Sequence, residues 1–521
     1  MSSRVLGLVR DQMFAALLGA GLQMDAYLAA FKAPNLLRDL FAEGALSTAF
    51  ITTFSEKITK EGDGAAWRLA NKMATLTAIF MSAITLLGIL LAPQLMHVLA
   101  PGFEEIPGKM ELTITLARIM FPFIALVSLA ALVMGMLNAK NVFGMPAMAS
   151  TFFNIGSIVG GVCLGWWLDP HFGTKQYGTG SLIGLSLGTL IGGLLQLIVQ
   201  FPALGSVGFR FRPDFVWRDP GVRRILLLMG PAIVAASAVQ VNVLINTNFA
   251  SYLGNGRVSW LSYAFRLMQL PIGIFGVAIG TVTLPVVSRS AAAGNIPEFR
   301  ATLAKGMRLA FLLTIPSTIG LVLLARPIIS LLFERRTFSA DDTLHTAEAL
   351  QFYAVGLCAY AGIKVLAPSF YALGKRNTPM MVSFLSIAVN YGLNQLFTFH
   401  LGFGHRGLAL STGLVALTNF ILLYILMHRQ VQRLETRQMF VTLAKLTVAS
   451  AALALVCWPA QSWMMAHWQH YGLIVRAALL AVVITVAGGA YFAVALALRI
   501  EELDDVAAMA KRKLGRFAKR K

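Results

Sequence analysis

Residues 25–50 read "DAYLAAFKAPNLLRDLFAEGALSTAF". A helix of about 20 residues crosses the roughly 30 Å of hydrocarbon in a bilayer. This stretch has that length, yet it carries Asp25, Lys32, Arg38, Asp39 and Glu43. At about 100° per residue, Asn35, Asp39 and Glu43 form one stripe with Arg38 beside it, while Leu36, Leu37, Leu40 and Phe41 take the remaining surface. One polar face therefore looks inward. Pro34 has no amide hydrogen and disfavours helix at Ala33, so a kink or break is expected there. Amides freed by a break would face an anion at the start of a half-helix; a plain kink absorbed by packing is the alternative. Pro271, five residues after Arg266, invites the same two readings.

The rest of the chain makes these charges costly. Of 521 residues, 57% are apolar and 13% charged, about half the charge share of soluble domains. Apolar runs of spanning length lie near 3–20, 26–54, 74–98, 111–137, 145–168, 181–203, 223–252, 259–287, 307–332, 347–372, 380–400, 407–427, 439–462 and 472–498. The expected fold is an all-α polytopic membrane protein with 14 transmembrane helices. Arg10 and Asp11, in the middle of the first run, argue against a cleaved signal peptide. Cys163, Cys358 and Cys457 lie far apart in apolar runs, so neither a disulfide framework nor a CxxC metal site is on offer. A net charge of +20 without a basic soluble domain points to membrane topology and not to nucleic acid.

Loops 55–72, 138–145, 203–224, 288–308, 373–379, 428–438 and the tail from Arg499 hold about 27 Lys and Arg, against about 6 in the alternate set, which places both termini in the cytoplasm. The tail "RIEELDDVAAMAKRKLGRFAKRK" ends in a basic cluster suited to anionic headgroups. Two pairs of echoes, "LGAG" at 18–21 with "LGNG" at 253–256 and "MLNAKNVFGMP" at 136–146 with "ALGKRNTP" at 372–379, share an offset of roughly 235 residues. Parallel six-helix repeats at 1–205 and 206–430 are expected, followed by two extra helices over 431–500 and a basic tail over 501–521.

A charge at the bilayer centre costs about 2.5 to 3.5 kcal/mol on the lenient scale. Arg4, Arg10, Lys32, Arg38 and Arg266 facing lipid would cost on the order of 15 kcal/mol, more than a typical fold's whole stability. They must face protein or water. Arg4 and Asp11 share a face; Arg10 sits about 120° around from Arg4. Internal salt bridges, of Arg10 with the neighbourhood of Asp11 and of Lys32 or Arg38 with Asp39 or Glu43, account for part of the set. Asp25 falls at the outer end of its helix, which leaves five deep cations against three deep anions. Such an excess calls for an anionic substrate. Lys364 lies near the cytoplasmic end of its helix, where snorkelling to the headgroups suffices. No GxxxxGK[ST], HExxH or GxSxG occurs, so ATP hydrolysis, zinc proteolysis and α/β-hydrolase chemistry lack their parts.

"SRVLGLVRD" at 3–11, the run at 25–50, "YAFRLMQLP" at 263–271, "GTVTLP" at 280–285 and "KVLAPSFYALGKRNTP" at 364–379 together resemble the MurJ (MviN) lipid II flippases of the polysaccharide-exporter (MOP) superfamily. The resemblance implies two six-helix lobes around a central cavity and two further helices making a groove for the lipid tail. It implies alternating access in which cavity arginines bind the diphosphate of lipid II, undecaprenyl-pyrophosphoryl-MurNAc-pentapeptide-GlcNAc. By motif match the substrate-binding positions are Arg4, Arg10, Arg38 and Arg266, and Asp25, Asn35, Lys32, Asp39, Glu43 and Lys364 serve gating or cavity structure. The implied setting is the bacterial inner membrane, with lipid II, anionic lipids and cell-wall synthesis enzymes as partners and no cofactor, metal or catalytic residue. Thr52 and Phe265 depart from the family's usual residues without touching the cationic set. An exporter of another undecaprenyl-linked oligosaccharide, a drug-cation pump and a non-transport scaffold are the competing readings. The cationic balance disfavours the pump, and the short loops leave little room for the scaffold's docking domain.

Overall fold

The computed structural model describes residues 2–174 and 176–503, with Arg4 and Glu43 among the few side chains in that range left undescribed. Among the described residues every regular element is a helix. An apolar chain in lipid must close its backbone hydrogen bonds within each segment, and only helices do so one segment at a time. In order these are α1 (Ser2–Leu18), α2 (Leu22–Arg38), α3 (Ser47–Glu61), α4 (Asp63–Leu90), α5 (Ala92–Leu99), α6 (Lys109–Met120), α7 (Phe123–Ala139), α8 (Gly144–Leu168), α9 (Thr179–Ile198), α10 (Phe201–Ser206) and α11 (Pro220–Ser251). There follow α12 (Arg257–Pro271), α13 (Val277–Ala292), α14 (Ile296–Leu323), α15 (Ala325–Phe333), α16 (Ala340–Ala354), α17 (Leu357–Ala372), α18 (Asn377–Asn394), α19 (His405–Gln430), α20 (Thr436–His467) and α21 (Leu473–Ala497).

Among the described residues ten helical stretches are long and apolar enough to cross a membrane, or twelve if each of two bent pairs counts as one span. The N-terminal stretches fall outside that set for two reasons. Helix α1 has 17 residues, and the helical run from Leu22 to Glu61 is interrupted too often by charge. That run also corrects the expectation of a break at Pro34. Helical backbone continues through the buried proline, and the irregularity is a π-helical stretch at Asp39–Leu46. A proline forfeits one backbone bond, and packed neighbours hold the helix together around it. No half-helix N-terminus is therefore presented at Pro34. Pro271 likewise ends α12 inside continuous helix and leads into a π-helical stretch at Ile272–Gly276.

Element boundaries recur along the chain. Asp63–Leu90 and Ala92–Leu99 are matched by Ile296–Leu323 and Ala325–Phe333, each bound displaced by about 233 residues. Both helices that follow the "LGAG" and "LGNG" turns pass into π-helix, and Gly19 and Gly254 in those turns have φ of 70° and 92°. Only glycine adopts that backbone without strain. These shared devices fall at nearly the same offset as the short sequence echoes.

The chain forms two compact units. One comprises Met1–Ser259 with Phe333–Asp342, the other Trp260–Leu332 with Thr343–Lys521. In the first, α8 and α9 pack through glycines. A Cβ at Gly188 would lie 2.3 Å from Gly161 Cα, and one at Gly184 would lie 2.3 Å from Gly165 N. Small residues four apart let two membrane helices approach this closely. In the second, Tyr491 of α21 is fully buried and its hydroxyl donates to Leu312 O at 2.7 Å. Arg308 of α14 donates to Glu502 at 2.5 Å and to Glu435 at 2.9 Å, tying both ends of the α20–α21 pair to this unit.

Candidate functional site

Helix α2 runs antiparallel to α11 within the first unit, and Asp25, Lys32 and, just past its end, Asp39 meet α11, the turn after it or the start of α12. Asp25 faces Gly256 and Ser259, Lys32 faces Thr247, and Asp39 faces Gln240. Their seven-residue spacing puts all three on one side of the helix.

Asp25 is fully buried and completely used. Its oxygens accept from the Gly256 amide at 2.7 Å, the Ser259 amide at 2.9 Å, the Ser259 hydroxyl at 2.7 Å and the Lys109 ammonium at 3.1 Å. Lys109, the first residue of α6, also donates to Asn255 at 3.0 Å and sits 4.1 Å from the centre of the Phe103 ring. A buried ion pair holds only when its remaining hydrogen-bonding capacity is met, and here backbone, hydroxyl, amide and ring meet it. This node ties α2, α6 and the α11–α12 turn together. The sequence reading missed Lys109. Its only signal was its place among the few cations of the cation-poor loop set.

About two turns further along α2, Lys32 Nζ donates to Thr247 Oγ1 at 2.8 Å. Among the described residues no carboxylate pairs with this ammonium. Arg38 donates to its neighbour Asp39 through Nε at 3.1 Å and Nη2 at 2.7 Å, and Gln240 Nε2 reaches the other Asp39 oxygen at 3.4 Å. Both members of that pair remain partly exposed. On α1, Arg10 pairs with adjacent Asp11 at 3.1 Å and lies over the Phe153 ring at 5.5 Å. Pairing between chain neighbours is what the sequence left open for part of the set, and it occurs for Arg10 and Arg38. It does not extend to Lys32.

The remaining positions are dispersed. Asn35 is partly exposed on α2, and Arg266 of α12 and Lys364 of α17 are exposed in the second unit. The side chains of Arg4 and Glu43, and the basic tail from residue 504, lie outside the described residues.

A sequence profile described as "Lipid II flippase MurJ" matches residues 14–479. The chain belongs to the MurJ family. Among its MurJ relatives, the "Lipid II flippase MurJ" of Burkholderia cenocepacia is 37% identical over 81% of this chain and 80% of its own length. The "Probable lipid II flippase MurJ" of Vibrio cholerae is 34% identical over 96% of this chain and 94% of its own. A solved structure titled "Lipid II flippase MurJ, inward closed conformation" shares the fold with a TM-score of 0.72, at 24% identity, over 94% of this chain and 97% of that one. A solved structure titled as a multidrug resistance MATE family transporter of the MOP superfamily shares the fold with a TM-score of 0.70, at 16% identity, over 83% of this chain and 95% of that one. Membership in the MurJ family and ten or more apolar helices make this a multi-pass membrane protein of a transporter family.

Proposed function

We propose that this protein carries lipid II from the cytoplasmic to the outer leaflet of the bacterial inner membrane. What supports the activity is the family match over residues 14–479. In this reading the chain crosses the membrane 14 times, α1 and the charged run Leu22–Glu61 adding two spans to the twelve apolar ones, with both termini in the cytoplasm. The lobes are 1–205 and 206–430, and the helices over 431–500 hold the lipid tail.

The diphosphate is gripped by Arg10 and Arg38, with Arg4 and Arg266 completing the set and Lys32 beside them. Guanidinium groups meet phosphate oxygens through charge-assisted bonds. Among the described residues Arg10 and Arg38 each pair with the adjacent aspartate at partly exposed positions, where a dianionic headgroup competes with that carboxylate. Lys32 supports the same reading, because Asp25 is already neutralised by Lys109 and offers it little compensation. Alternating access of the two lobes then moves the headgroup while the tail stays in lipid.

Complementation tests the activity. Expression of the chain in a bacterium depleted of its own lipid II flippase restores growth and surface exposure of lipid II. Failure to restore either, with the protein inserted in the membrane, while an undecaprenyl-linked glycan exporter mutant is rescued, would assign a different cargo.

A further inference from the structure

The second unit holds a cluster of donor groups that the transport reading does not use. His345 and Glu348 stand one turn apart on α16, and His405 begins α19. One ligand atom from each lies within 4.8 Å of the others. His345 Nδ1 is 3.3 Å and His405 Nε2 is 3.6 Å from Glu348 Oε2. Those separations match the edge of a tetrahedron whose centre is about 2.0–2.2 Å from each nitrogen and oxygen, the bond lengths of zinc. We propose that His345, Glu348 and His405 form a binding site for a divalent transition-metal ion such as Zn²⁺, with a fourth position left for water.

The surroundings suit a metal site. His405 and Trp260 are buried, and Trp260 stacks on His345 at 4.3 Å and meets His405 edge-on at 5.4 Å, restricting both rings. Arg406 grips Glu348 through Nε at 2.9 Å and an Nη at 2.5 Å. A carboxylate has about four lone-pair positions and Arg406 takes two, so it orients Glu348 as an outer-shell partner and leaves acceptor capacity on Oε2. His405 Nε2 lies 3.2 Å from His345 O. Ligation requires the tautomer with the proton on Nδ1, so the metal replaces that backbone contact. Two imidazoles and one carboxylate select zinc-like ions over magnesium or calcium, which prefer all-oxygen sites. The bound ion would fasten the start of α19 to α16.

Equilibrium dialysis of the detergent-purified full chain, freed of any affinity tag, against Zn²⁺ in the presence of excess Mg²⁺ tests the site. The wild type retains one Zn²⁺ per chain, and Co²⁺ in its place gives the visible absorption of a tetrahedral complex. His345→Ala and His405→Ala each lose that equivalent while eluting as the wild type does. Arg406→Gln keeps the stoichiometry with affinity altered by about 10-fold to 100-fold. Absence of stoichiometric binding by the wild type overturns the proposal without reference to any variant. Retention of the ion by the double variant His345→Ala/His405→Ala overturns it equally.

Discussion

Asp25 is the centre of a buried ion-pair node in the first unit. Four donors surround it, one of them a buried ammonium, so a neutral replacement leaves Lys109 charged in a place built for an ion pair. Asp25→Leu should cost about 3–5 kcal/mol, as breaking a buried pair from one side does. Thermal unfolding in detergent reads the loss, and Asp25→Leu/Lys109→Met should recover part of it because no lone charge remains. Equal melting of Asp25→Leu and wild type would contradict this. Lys32 is the opposite case, since its ammonium rests on a hydroxyl. Lys32→Met should insert and melt much like the wild type yet fail to sustain growth of a flippase-depleted bacterium. The sequence placed Asn35, Asp39 and Glu43 on one stripe, whereas the structure turns Asp25, Lys32 and Asp39 toward α11 and the turn after it and leaves Asn35 partly exposed. That Asp25 belongs to a buried ion-pair node while the Lys32 ammonium rests on a hydroxyl was not legible, because the deciding partners Lys109 and Thr247 lie 84 and 215 residues from them in the chain.

At the scale of elements, glycine spacing sets how closely α8 and α9 meet. Gly188→Leu places a side chain where Gly161 backbone already stands, whereas Gly205→Leu in α10 meets nothing within 4 Å. The first should lower the melting temperature and the yield of folded protein, and the second should leave both nearly unchanged. The loop after α8 offers a pH signature. Burial works against ionisation of Asp169, but the Ser181 hydroxyl at 2.6 Å and the amides of Gly178 at 2.6 Å and His171 at 2.9 Å outweigh it and hold the carboxyl below its usual range. A depressed folded-state pKa contributes stability above the unfolded value near 3.8 and loses it as pH falls through the lowered one. Acid unfolding below about pH 4 should therefore be steeper in the wild type than in Asp169→Asn. Helix positions were readable from apolar runs because lipid admits little else. The π-helical stretch at Asp39–Leu46 was not, because no residue of the run marks that change of hydrogen-bond pattern as proline marks a lost amide.

For the whole molecule, element boundaries recur after about 233 residues, close to the offset of the short sequence echoes. Length and charge also explain why span counting stops at ten to twelve. The two N-terminal stretches that carry the cationic residues are the ones least like ordinary membrane helices. Transport by the proposed route needs those residues to hold an anion that enters and leaves. The grip should therefore be electrostatic and salt-sensitive, stronger than the adjacent-aspartate pairs of Arg10 and Arg38 and weaker than the sealed node at Asp25. The most direct measurement is the affinity of the purified chain for lipid II at low and high salt, compared with Lys32→Met/Arg38→Ala. The wild type should bind tightly at low salt and weaken as salt rises, and the double variant should bind at least about tenfold more weakly with a flatter salt response. Equal affinity and equal salt response in the two proteins would contradict the cationic grip.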